Sequence, residues 1–109
     1  MRDYIQTAFG YDLARRTDDI RRTYEFDVTC RGSVPEAIIA FLDGADYEDS
    51  VRNSISLGGD VDTQACIVGG LAEAFHGGVP DAITREVLAR LDAPLRAVVE
   101  EFRHRYLGV

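Results

Sequence analysis

Apolar positions along this chain recur mostly at intervals of three and four, and no run keeps the strict alternation of a half-buried strand for more than a few residues. The pattern predicts an all-α protein. A first helix is expected over Asp3 to Phe9, closed by Gly10, and a second from Asp12 to about Arg22 with both charge signs on its face. Tyr24-Glu25-Phe26-Asp27-Val28-Thr29-Cys30 alternates briefly and reads as an extended connector. Ser33-Val34-Pro35-Glu36 has the form of a capping box with Pro35 in the first turn, so the next helix should begin there and bury Val34, Ile38, Phe41 and Leu42 before Asp43-Gly44 ends it. Asp46 can cap a fourth helix, in which Tyr47, Val51 and Ile55 recur every four residues until Gly58-Gly59.

The helix predicted from Asp62 to His76 is small and apolar on several faces, with Ala65, Cys66, Ile67, Val68, Leu71, Ala72 and Ala74. It is expected to be central, with Cys66 in the core. Gly69 and Gly70 inside it each cost about 1 kcal/mol against alanine, which close approach of another helix backbone would offset. His76 and Gly77-Gly78 mark its end, where a histidine suits the helix dipole. Pro80 then precedes a helix carrying Ile83, Val87, Leu88 and Leu91, and a last one from about Pro94 to Tyr106 should bury Leu95, Val98, Val99 and Phe102. His104 lies in its final turns and is expected to be exposed. Few helices are left to surround the Asp62 helix, so a partner from the same parent polypeptide or a second subunit is expected to complete it.

Composition narrows the function. At 109 residues the chain forms one domain at most, with room for a modest core, and 46% hydrophobic against 28% charged residues argues against wholesale disorder. No apolar run approaches the roughly 18 residues that cross a membrane. Met1-Arg2-Asp3-Tyr4-Ile5 lacks the apolar stretch of a secretory signal, so a cytoplasmic protein is expected. The net charge is −7, and Arg15-Arg16 and Arg21-Arg22 are separated by Asp18-Asp19, which argues against nucleic acid as a partner. Cys30 and Cys66 have no metal-type spacing and read as reduced thiols.

The densest chemistry lies in Leu57-Gly58-Gly59-Asp60-Val61-Asp62-Thr63-Gln64-Ala65. Asp60, Asp62 and Thr63 offer two carboxylates and a hydroxyl, the hard oxygen donors that magnesium and calcium prefer, just after two glycines that let the backbone turn tightly. The alternative is a plain helix N-cap by Asp60 or Asp62, with the second carboxylate favoured by the dipole.

Two long motifs extend the picture. Tyr24-x-Phe26-Asp27-Val28-Thr29-Cys30-Arg31-Gly32-Ser33-Val34-Pro35-Glu36-Ala37 and Ile55-Ser56-Leu57-Gly58-Gly59-Asp60-Val61-Asp62-Thr63 resemble the ADP-ribosylglycohydrolase family. The resemblance runs on through Arg52-Asn53-x-Ile55, Gly69-Gly70-Leu71-Ala72-Glu73-Ala74, Gly78-Val79-Pro80 and Phe9-Gly10-Tyr11-Asp12-Leu13, so it covers most of the chain.

That resemblance implies an all-α orthogonal helical bundle, a two-magnesium site, and hydrolysis by water of the glycosidic bond between ADP-ribose and a modified group. Asp60, Asp62 and Thr63 match the family's Gly-Gly-Asp-x-Asp-Thr ligands, and Gly32, Ser33, Ser56 and Gly59 are weaker candidates for contact with substrate. Members are usually much longer, and an N-terminal half supplies a second acidic cluster and the glutamate associated with catalysis. No equivalent is found here: Thr17-Asp18-Asp19 has the letters but lies in a charged helical stretch, and no catalytic residue is assigned. Val61 also stands where the family often has a hydroxyl-bearing residue. Residues 1–109 are therefore expected to be the C-terminal portion of a larger domain, active when an N-terminal half is present. The alternative is a non-catalytic remnant that binds ADP-ribose or a protein partner, and self-assembly into a homodimer would also cover the apolar helix.

Overall fold

Seven α-helices and no strand make up the chain, which the computed structural model describes over residues 1–109. The all-α expectation holds. Residues Met1–Gly78 form one compact unit and Val79–Val109 another. The first contains α1 (Arg2–Phe9), α2 (Thr17–Arg21), α3 (Cys30–Asp43), α4 (Tyr47–Ser56) and α5 (Val61–His76). The second contains α6 (Asp81–Arg90) and α7 (Ala93–Phe102), which continues into a π-helical turn over Arg103–Leu107.

Helix α3 is the centre of the first unit. Every residue from Pro35 to Phe41 is buried, as expected of a helix enclosed on all sides, and α4 and α5 pack on it and on each other. It begins earlier than the capping-box pattern predicts. Thr29 is the N-cap, its Oγ1 accepting from the Gly32 N–H at 3.1 Å, while the Ser33 hydroxyl lies a turn inside and donates to the Thr29 carbonyl at 2.6 Å. Glu36 is not a capping partner either; it pairs with Arg15. Pro35 therefore sits in the second turn, where it forfeits the bond to the carbonyl of Arg31, an exposed residue.

Helix α5 is not enclosed in the way its composition predicts. Only Gln64, Val68 and Ala72, one stripe at intervals of four, are buried, whereas Cys66, Gly70 and Phe75 are exposed. No other backbone approaches its glycine pair: a Cβ on Gly69 would meet the Tyr47 hydroxyl at 3.4 Å, and one on Gly70 would meet nothing within 4 Å. Small side chains permit close packing on any face, but here one face alone is used.

Of the predicted α4 stripe Tyr47, Val51 and Ile55, Tyr47 packs half-buried against the core and Val51 is half-buried, but the fully buried positions are others. Ser50 and Ser54 are fully buried, and Ile55 is 49% exposed. Each serine hydroxyl satisfies itself by donating to a backbone carbonyl of the preceding turn, Ser50 to Asp46 and Ser54 to Val51, both at 2.7 Å. Gly44 makes room for the first turn: a Cβ there would lie 2.7 Å from the Ser50 Cα. Asp46 caps α4 as expected, its Oδ1 accepting from the Asp49 N–H at 2.8 Å.

Residues 12–16 are not helical, because local and tertiary bonds compete. Asp12 accepts from the Ala14 N–H at 3.0 Å, and Gln6 of α1 accepts from the N–H of the fully buried Leu13 at 2.9 Å. Helix α2 then starts at Thr17, whose N–H and hydroxyl both donate to Asp43 Oδ2 at 2.9 Å, tying its start to the end of α3.

In the second unit, Leu95, Val98, Val99 and Phe102 are exposed rather than buried. The junction of its two helices is polar: the Arg96 guanidinium donates to the Leu88 carbonyl at 2.7 Å and to that of Leu91 at 3.0 Å, closing the end of α6. Cys30 and Cys66 are both free and exposed, so Cys66 is not a core residue. No helix is long and apolar enough to cross a membrane.

Candidate functional site

The loop between α4 and α5 sets the geometry of the acidic motif. Gly58 and Gly59 have φ values of 78° and 69°, both in the left-handed region that favours glycine, and they reverse the chain within two residues. Gly59 is further constrained by contact, since a Cβ there would lie 2.8 Å from the Tyr24 ring and 3.2 Å from the Glu25 carbonyl.

Asp60 follows at the N-cap position of α5, yet its side chain makes no capping bond. The N-cap explanation of this carboxylate therefore fails. Asp62 lies in the first helical turn, exposed, with Oδ1 accepting from the Thr63 N–H at 3.1 Å. Hydrogen bonding with the Asp60 side chain, then the backbone N–H groups of Thr63 and Asp62 itself, hold the Asp62 carboxyl below the usual carboxylate range. Thr63 is exposed beside them, and an open depression of about 320 Å³ adjoins Asp62, Thr63, Cys66 and Ile67.

These donors are of the kind a divalent cation takes, but they are too few alone. No three His, Cys, Asp or Glu side chains converge where they could hold a metal ion. Asp60, Asp62 and Thr63 offer two carboxylates and a hydroxyl, oxygen donors of the type a hard cation takes.

Tyr24, on the connector, joins two of the weaker candidates. Its hydroxyl donates to the Gly32 carbonyl at 2.7 Å and accepts from Gln64 Nε2 at 2.8 Å, while its ring covers Gly59. Burial, and to a lesser degree the negative charges of Glu36, Asp27 and Asp60, push the Tyr24 phenol upward against the opposing bond from Gln64. Gly32 is closely covered on its other side by the Asp27 carboxylate. Thr29 donates to that carboxylate from Oγ1 and from its N–H, at 2.6 and 2.8 Å, and these two bonds hold Asp27 below the ordinary range.

The other two candidates are committed to protein partners. Ser33 is buried with its hydroxyl turned to its own helix, and Ser56 accepts from Arg21 at 3.0 and 2.8 Å while donating to the Asn53 carbonyl. Thr17 is equally engaged, bound to Asp43, and Asp18 pairs with Arg21.

A family model described as ADP-ribosylglycohydrolase matches residues 2–108, nearly the whole chain. The chain belongs to the ADP-ribosylglycohydrolase family. No curated protein and no solved structure matches it. Within this family member, sequence reading did not single out Tyr24 and Gln64 as linkers or Arg15 and Glu36 as a pair. Tyr24 was legible only as part of a motif, and partners 40 and 21 residues apart leave no trace in local periodicity.

Proposed function

We propose that this chain furnishes one side of the divalent-cation site of an ADP-ribosylglycohydrolase, with Asp60, Asp62 and Thr63 as magnesium ligands. The completed enzyme hydrolyses the glycosidic bond joining ADP-ribose to a modified group. Completion requires a second acidic cluster, from a further stretch of the same polypeptide or from another chain. The observation that carries this reading is the Asp60 carboxylate, which stands at the mouth of α5 without a capping bond and beside the exposed Asp62.

Asp60 and Asp62 supply anionic oxygens and Thr63 a neutral one, on a loop braced by the Tyr24 ring against Gly59. When bound, magnesium supplies Lewis-acid polarisation of the scissile region and positive charge that orients ribose hydroxyls. The uncovered faces of α5, including Cys66, Gly70 and Phe75, are where the complementing segment would pack. A cytoplasmic setting suits the exposed thiols of Cys30 and Cys66, which stay reduced there.

The test is release of free ADP-ribose from ADP-ribosylated arginine and serine peptides, by this chain mixed with a polypeptide bearing a Thr-Asp-Asp cluster. Magnesium-dependent release that Asp60→Asn or Asp62→Asn abolishes is the expected result. Release unaffected by both substitutions would overturn the ligand assignment. A second reading, a non-catalytic module that binds ADP-ribose or a protein, is favoured by the absence of a third converging carboxylate. It predicts binding without turnover in every such mixture.

A further inference from the structure

The one stripe that α5 buries starts with a polar residue, Gln64, where its other members, Val68 and Ala72, are apolar. Gln64 is fully buried, gives one hydrogen bond to the Tyr24 hydroxyl, and leaves Oε1 without a partner. A buried amide satisfied at one end only costs stability that an apolar side chain of similar size would not. Stability is therefore a poor account of this pair, and direction is a better one. The Tyr24 hydroxyl is held from two sides, by Gln64 Nε2 at 2.8 Å and by the Gly32 carbonyl at 2.7 Å, and its ring lies against Gly59. Gly58 and Gly59 both have positive φ, and their freedom leaves nothing local to aim the residue that follows. That residue is Asp60, whose carbonyl accepts from the backbone N–H of Gln64 at 3.0 Å. Asp60 is thus gripped on both sides: the glycine before it lies under the Tyr24 ring, and its own carbonyl is held by the residue that holds that ring.

We propose that Tyr24 and Gln64 are positioning residues for the Asp60 carboxylate: their buried bond fixes the direction in which the Gly59–Asp60 backbone presents it to a divalent cation. Neither side chain is itself a ligand. A buried, directional hydrogen bond selects one arrangement of the groups around it, which apolar packing of the same volume does less sharply. A ligand on a glycine turn needs that selection, because a site loosened by about an ångström loses much of its function. The proposal rests on Asp60 being a cation ligand. It adds a consequence that the acidic motif alone does not carry: cation affinity and fold stability respond differently to the same substitution.

The test compares the full chain with its Gln64→Met and Tyr24→Phe variants in three measurements. These are urea unfolding, nitrogen-15 relaxation of the Gly59 and Asp60 amides without metal, and the broadening that manganese(II) alone produces at Asp60, Asp62 and Thr63. Paramagnetic broadening reads weak, rapidly exchanging occupancy, which suits a site with few ligands. Gln64→Met removes the orphaned Oε1 and the bond together while keeping the length of the side chain, so its urea midpoint should not fall. The Gly59 and Asp60 amides should nevertheless become more mobile, and manganese(II) should bind about tenfold more weakly. Tyr24→Phe keeps the ring over Gly59 and removes only the hydroxyl; it should show the same mobility and the same loss of affinity, which keeps the test decisive if Gln64→Met fails to fold. Unchanged relaxation in the folded variants, or affinity equal to that of the native chain, would overturn the positioning role. Asp60→Asn separates that failure from failure of the ligand assignment. If it leaves the broadening unchanged, or the native chain shows none, Asp60 is not a ligand and the positioning role falls with it; if it abolishes broadening that the other two variants retain in full, the positioning role alone is wrong.

Discussion

Gln64 Nε2 donates to the Tyr24 hydroxyl at 2.8 Å, joining the first turns of α5 to a connector 40 residues earlier in the chain. The same hydroxyl donates to the Gly32 carbonyl at 2.7 Å, so one phenol joins α5, the connector and α3. Gln64 is fully buried, and its Oε1 has no partner at all. The acidic motif therefore sits on a helix start whose position depends on a polar contact inside the core.

Tyr24→Phe removes both bonds and leaves a buried amide donor unsatisfied. We expect a loss of about 1–3 kcal/mol, read as a lower urea midpoint with an unchanged slope. An unchanged midpoint would show that the phenol does not hold this junction together.

The glycines of α5 and of the turn before α4 should respond in opposite directions. Gly44→Ala would press a Cβ to 2.7 Å from the Ser50 Cα, a backbone clash, and should destabilise by about 1–3 kcal/mol. Gly70→Ala meets nothing within 4 Å and should stabilise by about 0.5–1 kcal/mol through helix propensity. Thermal unfolding of the two variants checks both signs. If the complementing segment packs on this face of α5, Gly70→Ala should also impair reconstitution of activity while raising stability.

Local chemistry made much of the fold legible, and tertiary chemistry hid the rest. Gly10, Asp46, Gly58-Gly59 and Gly77 end or begin helices where expected because capping is decided within a turn. The same local logic failed at Ser33, where Thr29 offered an equally good cap four residues earlier, and at Asp12, where a bond from Leu13 to Gln6 prevented helix. Apolar periodicity failed at Ile55 of α4, because serines that bond their own backbone can be buried while it is left outside. At the candidate site, Asp60, Asp62 and Thr63 are neighbours in sequence and needed no folding to be recognised as a group. The brace of Tyr24 and Gln64, and the pairing of Arg15 with Glu36, exist only in three dimensions.

Acid should weaken the start of α3. The Asp27 carboxyl is held below its ordinary value of 3.8 by two bonds from Thr29, so its contribution is fully present above that value and is lost as pH falls through the lower folded value. The stability difference between the native chain and Asp27→Asn should be full at neutral pH and shrink towards zero in stronger acid. A carbon-detected titration of the Asp27 carboxyl checks the premise directly: its midpoint should lie below 3.8.

The most direct test of the central claim is calorimetric titration of ADP-ribose into the chain mixed with a polypeptide bearing a Thr-Asp-Asp cluster, with magnesium and then with excess chelator. The account predicts binding with magnesium that disappears with chelator and in Asp60→Asn and Asp62→Asn. Binding that survives chelator and both substitutions would contradict it, because Asp60, Asp62 and Thr63 would then not be the magnesium-holding side of the site.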